Sequence, residues 1–471
     1  MTFELTTIGQ YASVQGGYAF KSQDFLSSGF LPVLKIKNVR HGYVDYGDTT
    51  YVSEQVAASC DKWETVTGDV LISMTGSGPS APESLVGRVA RVWNSEPTAL
   101  INQRVGRLIL KQKDAIDKDF LFYVLSQKES QEYLVSNSTG SANQVNISGK
   151  TIESVACPIV TLEESQEIAG FLRAFDQRIR LLRETNATLE AMAQALFKSW
   201  FVDFDPVYAN ASTKQMINPA SSPSDFVGDP GVPLDSRLRG NDDLLPPELQ
   251  TLFPATFTAS PQGLVPEGWE WQALDEAYEL NPKRNLKKGV LAKYLDMASV
   301  GTSGHTAESA INREFGSGTK FINGDTLLAR ITPCLENGKT AFVDFLEEDE
   351  TGWGSTEFIV MRPKTPLPPY HAYLLSRFPA FREFAIQSMS GTSGRQRVQN
   401  DVLGRYMLAV PDAAVAEVFG QSVGVIQQKI QANHQQAQTL ATLRDTLLPR
   451  LISGQLRLPD ADAMQAEVCD V

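Results

Sequence analysis

The chain repeats itself at a period near 251 residues, so it must fold as one unit made twice. Gly68-Asp69-Val70-Leu71-Ile72-Ser73 reads against Gly324-Asp325-Thr326-Leu327-Leu328-Ala329. Each is an apolar strand pattern entered through Gly-Asp, a turn pair that hydrogen-bonds its own backbone. Val86–Val92 then matches Asn337–Val343, and Val105–Leu110 matches Phe358–Met361. An amphipathic helix follows in each half, over Phe120–Tyr133 and Tyr370–Ile386. After it comes a Gly/Ser loop with a polar tip, Ser138–Val145 or Ser390–Val398, and a short strand ending at Pro158 or Pro411.

A long helical pattern closes each half, roughly 163–204 and 414–454, with Phe175–Ile179 matching Ile426–Ile430. Apolar residues recur there at alternating spacings of three and four. The first seam runs Leu172, Phe175, Ile179, Leu182, Asn186, Leu189, Ala193, Leu196, Trp200. The second runs Val423, Ile426, Ile430, Asn433, Ala437, Leu440, Arg444, Leu447, Leu451. Such a narrow seam pairs with another helix, and the two are expected to pair antiparallel. A register in which residue numbers add to 630 sets Ala193 opposite Ala437, Ile179 opposite Leu451, Trp200 opposite Ile430 and Asn186 opposite Arg444. Between the halves, 206–262 carries nine of the chain's twenty-five prolines, and its 221–243 stretch has no sustained period, as in a flexible insertion.

The net charge of −13 is uneven: blocks 1–162 and 263–411 each carry −2, and the remainder carries the rest. A near-neutral block can still present a basic face, so nucleic acid stays open. Four cysteines lie far apart with no C-x-x-C pair, and the four histidines have no chelating spacing, which excludes a disulfide scaffold and a zinc ribbon. No apolar run approaches a membrane span, and Met1–Leu5 lacks a signal-peptide start, which points to the cytoplasm.

Catalytic look-alikes fail on inspection. Gly76-Ser77-Gly78-Pro79-Ser80-Ala81 imitates a dinucleotide loop, but Pro79 removes a donor that a phosphate needs, and no amphipathic helix follows. Asn337-Gly338-Lys339-Thr340 imitates the end of a P-loop, yet Pro333 stands at the first glycine's place. Leu367-Pro368-Pro369-Tyr370 lacks the polar residue that would grip a target amine. No nucleophile–base constellation can be named.

The order of globular block, helix, linker, globular block, helix resembles the specificity (S) subunit of type I restriction-modification systems over essentially the whole chain. The segments that carry the resemblance are Leu162–Ala169 running into Phe175–Ile179, Ala195–Pro206, Val265–Glu270 and Leu447–Gly454. The resemblance implies an α+β fold: two structurally repeated α/β target recognition domains separated by a pair of long antiparallel coiled-coil helices with pseudo-two-fold symmetry. The expected boundaries are 1–162 and 263–411 for the recognition domains, 163–205 and 412–457 for the helices, 206–262 for the linker and 458–471 for an acidic tail.

It further implies a non-catalytic chain that reads a bipartite target in double-stranded DNA and docks two methyltransferase (M) subunits and restriction (R) subunits, with no membrane association. S-adenosylmethionine, ATP and Mg then belong to the partners, with no cofactor or metal on this chain. A coiled-coil adaptor indifferent to DNA, and a divergent stand-alone methyltransferase or nuclease, are the alternative readings.

Base reading requires exposed polar side chains on strand ends and loops that reach a groove. In the first domain these are Lys35, Lys37, Asn38, Arg40, Thr75, Ser77, Asn102, Gln103, Arg104, Ser141, Asn143 and Gln144. In the second they are Arg330, Thr332, Glu336, Asn337, Lys339, Thr356, Arg395, Gln396 and Arg397. The Arg395-Gln396-Arg397 tip is the densest cluster, and Lys35 and Lys37, sharing a strand face, are phosphate clamps. For helix pairing the candidates are Ile179, Leu182, Asn186, Leu189, Ala193, Leu196, Trp200, Ile430, Ala437, Leu440, Arg444, Leu447 and Leu451.

Overall fold

The computed structural model describes residues 2–78, 86–141, 144–217, 245–307, 310–392 and 394–458. The 221–243 insertion, the tail from 459, Asn143 and the Pro79–Ala81 part of the dinucleotide look-alike lie outside the described residues. The chain divides into two compact units, one of residues up to Arg180 and from Gln438, the other of Leu181–Ala437. Both divisions fall inside the long helices, Leu162–Phe201 and Ala413–Ile452, so each unit holds part of each helix.

The two units share one topology. In the first, a four-stranded sheet runs in the order Ala12–Gly16, Val105–Leu110, Val70–Ser73, Val89–Arg91, all antiparallel. In the second, the order is Tyr278–Leu280, Phe358–Pro363, Thr326–Ala329, Thr340–Phe342. Each unit adds a second sheet, three-stranded in the first and four-stranded in the second, in which one strand takes an antiparallel and a parallel neighbour. Leu31–Leu34 lies between Thr50–Val52 and Leu100–Ile101, and Leu291–Leu295 lies between Ile311–Glu314 and Gly352–Gly354. A strand pair then leads into each long helix: Leu5↔Pro158 in the first unit, Glu270↔Val410 in the second.

The Gly-Asp turns explain how the central strands are entered. Gly68 and Gly324 sit at φ +82° and +86°, a conformation open to glycine at no steric cost. Asp69 accepts the Val66 N–H at 3.0 Å, and Asp325 accepts that of Ile322 at 2.9 Å. Both carboxylates are also buried and shared by two cations, which the sequence did not reveal. Asp69 holds Arg107 at 3.1 Å and Lys118 at 2.8 Å; Asp325 holds Arg284 at 3.2 Å and Arg362 at 2.6 Å. A carboxylate below 5% exposure is tolerated only when paired and hydrogen-bonded in this way.

The single helix expected in each half is instead two. Lys118–Ser126 stops at Gln127, whose ψ of 149° is extended, and Lys128–Ser136 begins anew. Pro369–Arg377 stops at Phe378, and Pro379 opens the next helix by forcing its predecessor out of the helical region. The first piece of each pair is not amphipathic in use, since Asp119–Leu125 and Tyr370–Ser376 are buried without a break.

The helices pair antiparallel within each unit, but the 630 register is wrong. Asn433 donates to the Asn186 side-chain carbonyl at 2.8 Å, and Asn186 to the Ile430 carbonyl at 3.1 Å. Arg444 meets Asp176 at 2.5 Å, and Trp200 packs on Phe419 at 5.5 Å rather than on Ile430. The Asn186–Asn433, Asp176–Arg444 and Trp200–Phe419 numbers add to 619 or 620, and those of the Asn186–Ile430 bond to 616. The sequence reading matched seam residues only with each other; Asp176, just beside the seam, is the partner that Arg444 takes. Ile179, Leu182, Ala193, Trp200, Ile430, Ala437, Leu447 and Leu451 are buried; Leu189, Leu196 and Leu440 are half-buried. The helix ends serve the domain cores as well. Leu447 and Leu451 pack with Phe120 and Leu121, and Ala193, Trp200 and Val423 with Tyr373 and Leu374.

Candidate nucleic-acid interface

In both units a strand end and a helix–strand loop meet through a short ladder, and that ladder carries the polar tip. In the first unit Thr139–Ser141 pairs with Gln144–Asn146, which pairs in turn with Thr75–Gly76. Gly140, at φ +134°, crosses so close that a Cβ would stand 2.4 Å from the Gln144 carbonyl. In the second unit Arg397 bridges both Ser390 and Ile331, and Gly391 repeats the crossing at φ +128°.

The sequence-predicted residues divide sharply at these tips. Gln103, Arg104, Gln144, Glu336, Asn337, Thr356 and Arg395 are exposed. Among the described residues Arg395 bonds through its backbone N–H, which donates to the Thr392 carbonyl, and its guanidinium takes no partner there, which leaves it available to a base edge. Asn102 is half-buried, its backbone pairing with Leu34 and Val105. Gln396 is held by its backbone to Thr332, whose hydroxyl accepts the Gln396 N–H at 2.9 Å and donates back to its carbonyl. Ser141 lies in the ladder opposite Gln144.

Other predicted residues are already committed inside the protein. Asn38 is 1% exposed; its amide donates to the Asp45 and Asp48 carbonyls and its oxygen accepts the Lys35 N–H. Thr75 is buried and donates to Asn146 at 2.6 Å, and Ser77 is buried beside it. Lys37 pairs with Asp48, and Arg40 with Asp45. Lys35 caps the Phe25 ring at 3.8 Å, and desolvation together with the Lys37 ammonium pushes it below the ordinary lysine value. Lys35 and Lys37 do not share a strand face, because Ile36–Asn38 is a 3₁₀ turn.

In the second unit Lys339 donates to the Met297 carbonyl at 2.6 Å, and Arg330 to Val398 and Gln399. Arg397 forms a two-pronged pair with Glu357, at 2.8 Å through Nε and 2.5 Å through Nη2. That hydrogen bond holds the Glu357 carboxyl below its usual value. The sequence reading missed Asp45, Asp48, Asn146 and Glu357. The two aspartates were legible, being opposite charges in the same short loop as Lys37 and Arg40. Glu357 was not, because it reaches Arg397 across 40 residues.

A cleft of about 390 Å³ in the first unit is lined by Tyr123, Asp176 and Arg444 and by none of the predicted base readers. Among the described residues no three His, Cys, Asp or Glu side chains could hold a metal, and no helix is long and apolar enough to cross a membrane.

Residues 1–191 match the model of the type I restriction modification DNA specificity domain. The chain is 24% identical over 436 residues to the type I restriction enzyme MjaIX specificity subunit of Methanocaldococcus jannaschii, covering 90% of this chain and 86% of that one. It is 24% identical to the HindI specificity subunit of Haemophilus influenzae, over 72% of this chain and 77% of the other. A 141-residue stretch is 34% identical to the EcoAI specificity subunit of Escherichia coli, covering 28% of this chain and 24% of that one. The crystal structure of the type I restriction-modification S subunit from M. genitalium shares the fold at a TM-score of 0.51 and 15% identity, over 96% of both chains. With the duplicated fold and the long helix pair, the chain resembles type I restriction-modification specificity subunits over most of its length.

Proposed function

We propose that this chain chooses the DNA sequence for a type I restriction-modification complex and catalyses nothing itself. Each unit reads one half of a bipartite target through its polar tip, and the helices that run from one unit into the other act as the spacer and the docking surface for two methyltransferase subunits. S-adenosylmethionine, ATP and Mg chemistry resides on the methyltransferase and restriction subunits, in the cytoplasm. The observation that carries this reading is the ladder-held tip built twice on one topology, with different residues exposed: Gln144 in one and Arg395 in the other. A fixed frame with a variable polar end is what sequence readout asks of a protein.

Half-sites with different sequences follow from tips with different side chains. The test is methylation-site sequencing of host DNA with the gene intact and deleted. Loss of a single bipartite methylated motif on deletion is expected. An unchanged methylome, from a host in which the methyltransferase is active, would overturn the reading and favour a DNA-indifferent adaptor.

A further inference from the structure

We propose that the second unit carries a dedicated phosphate-gripping loop, Lys283–Lys288, with no counterpart in the first, so that nonspecific DNA affinity is concentrated in one half of the chain. This rests on the DNA-recognition reading above. The segment Pro282–Lys293 contains Lys283, Arg284, Lys287, Lys288 and Lys293 and no carboxylate. The segment at the same place in the first repeat, Gly17–Leu34, contains only Lys21 and Asp24.

The loop is built rather than merely charged. Arg284 turns inward to the buried Asp325. The Lys320 ammonium donates to the Arg284 and Leu286 carbonyls at 3.3 and 3.0 Å and lies 4.8 Å from the centre of the Phe315 ring. The loop's end is stitched to the outer strand: Gly289 N–H donates to Phe315, Phe315 N–H to Val290, and Val290 N–H to Lys287. Two cations thus fix the backbone from inside, while Lys283, Lys287 and Lys288 are exposed and take no side-chain partner among the described residues. Arg313, on the outer strand Ile311–Glu314, extends the positive edge, stacked 4.8 Å over Tyr294. Glu314 is the one carboxylate on that strand.

Ammonium groups carried on an ordered backbone, and neutralised by no carboxylate among the described residues, fit the spaced charges of a duplex backbone. They suit it better than a base edge, since lysine acts as a point charge. In the first unit the comparable cations, Lys37 and Arg40, are already neutralised by Asp48 and Asp45.

The experiment uses the full chain purified with its methyltransferase subunits and the triple variant Lys283→Gln, Lys287→Gln, Lys288→Gln. Binding is measured across a salt series to a duplex carrying the methylated motif and to an unrelated duplex of equal length. The slope of log affinity against log salt is expected to fall by about 2–3, at about 0.9 per lost phosphate contact, with both duplexes weakened by the same factor, at least about tenfold at 0.1 M salt. Thermal unfolding should be unchanged, because no internal bond is removed. An unchanged slope, or weakening on the motif duplex alone, would overturn the proposal. Loss of methyltransferase copurification with DNA affinity intact would do the same and assign the loop to protein contact. If the unmutated complex bound neither duplex, the DNA-recognition reading itself would fall.

Discussion

The two units are alike where they are buried and unlike where they meet solvent. Both enter the central strand through Gly-Asp, both bury that aspartate between two cations, and both cross the tip at a glycine with positive φ. At the surface the first unit pairs Lys37 with Asp48 and Arg40 with Asp45 and exposes Arg104, while the second leaves Arg395 and three lysines exposed and ties Arg397 to Glu357. A frame set by packing and buried charge leaves the exposed ends free to differ. On the proposed function, the two half-sites need not be alike, and the affinity for each need not be drawn from the same kind of contact.

The comparison breaks most severely at the shared buried carboxylate. Asp325→Ala leaves Arg284 and Arg362 without a counter-charge, which costs about 3–5 kcal/mol. Hydrogen exchange followed by mass spectrometry should show loss of protection in the second unit alone, and Asp69→Ala should do the same to the first. Equal loosening of both units by either change would mean that they do not fold separately.

The tips sharpen it next. Arg395→Ala should lower affinity for the motif duplex by about 1–3 kcal/mol and relax the sequence requirement in one half-site only. Competition binding with duplexes altered in either half-site measures this; relaxation in both would remove Arg395 from base reading. Arg397→Ala should act through the fold of the tip, since Glu357 already holds that guanidinium.

Acid should separate the units as well. His371 is fully buried, with its Nδ1 2.5 Å from the Tyr278 hydroxyl, and burial pushes its pKa down to about 3. The unfolded chain takes up a proton near pH 6.5 that the folded one refuses, so this group destabilises the fold as pH falls from there toward 3, by about 1.4 kcal/mol per pH unit at the steepest. Leu121 stands at the equivalent place in the first unit. His371→Leu combined with Tyr278→Phe should flatten the pH dependence of stability below pH 6, measured by denaturant midpoints; an unchanged slope would place the acid sensitivity elsewhere.

The smallest expected effect concerns the helices. Asn433→Ala leaves the Asn186 carbonyl without its donor and should cost about 1 kcal/mol. Replacing both asparagines by leucine should keep or raise stability while weakening the preference for this register, as read from crosslinks between cysteines introduced at exposed helix positions. Unaltered crosslinks would assign the register to the Asp176–Arg444 pair.

The local pattern of the chain was enough to disclose the duplication, the central strands, the two forty-residue helices and the exposure of Gln103, Asn337 and Arg395. These follow from periodicity and turn chemistry, which act over a few residues and are written in their order. Tertiary structure alone decided which polar residues remain available. Asn38 is used up by carbonyls in its own loop, Thr75 by Asn146 and Arg397 by Glu357, because a buried or half-buried polar group must find a partner wherever the fold brings one within reach. The same need set the helix register: the seam established that the helices pair, while Asn186 with Asn433 and Arg444 with Asp176 selected where. Spacing along one chain carries no information about which distant residue will stand opposite, and that choice belongs to the folded whole.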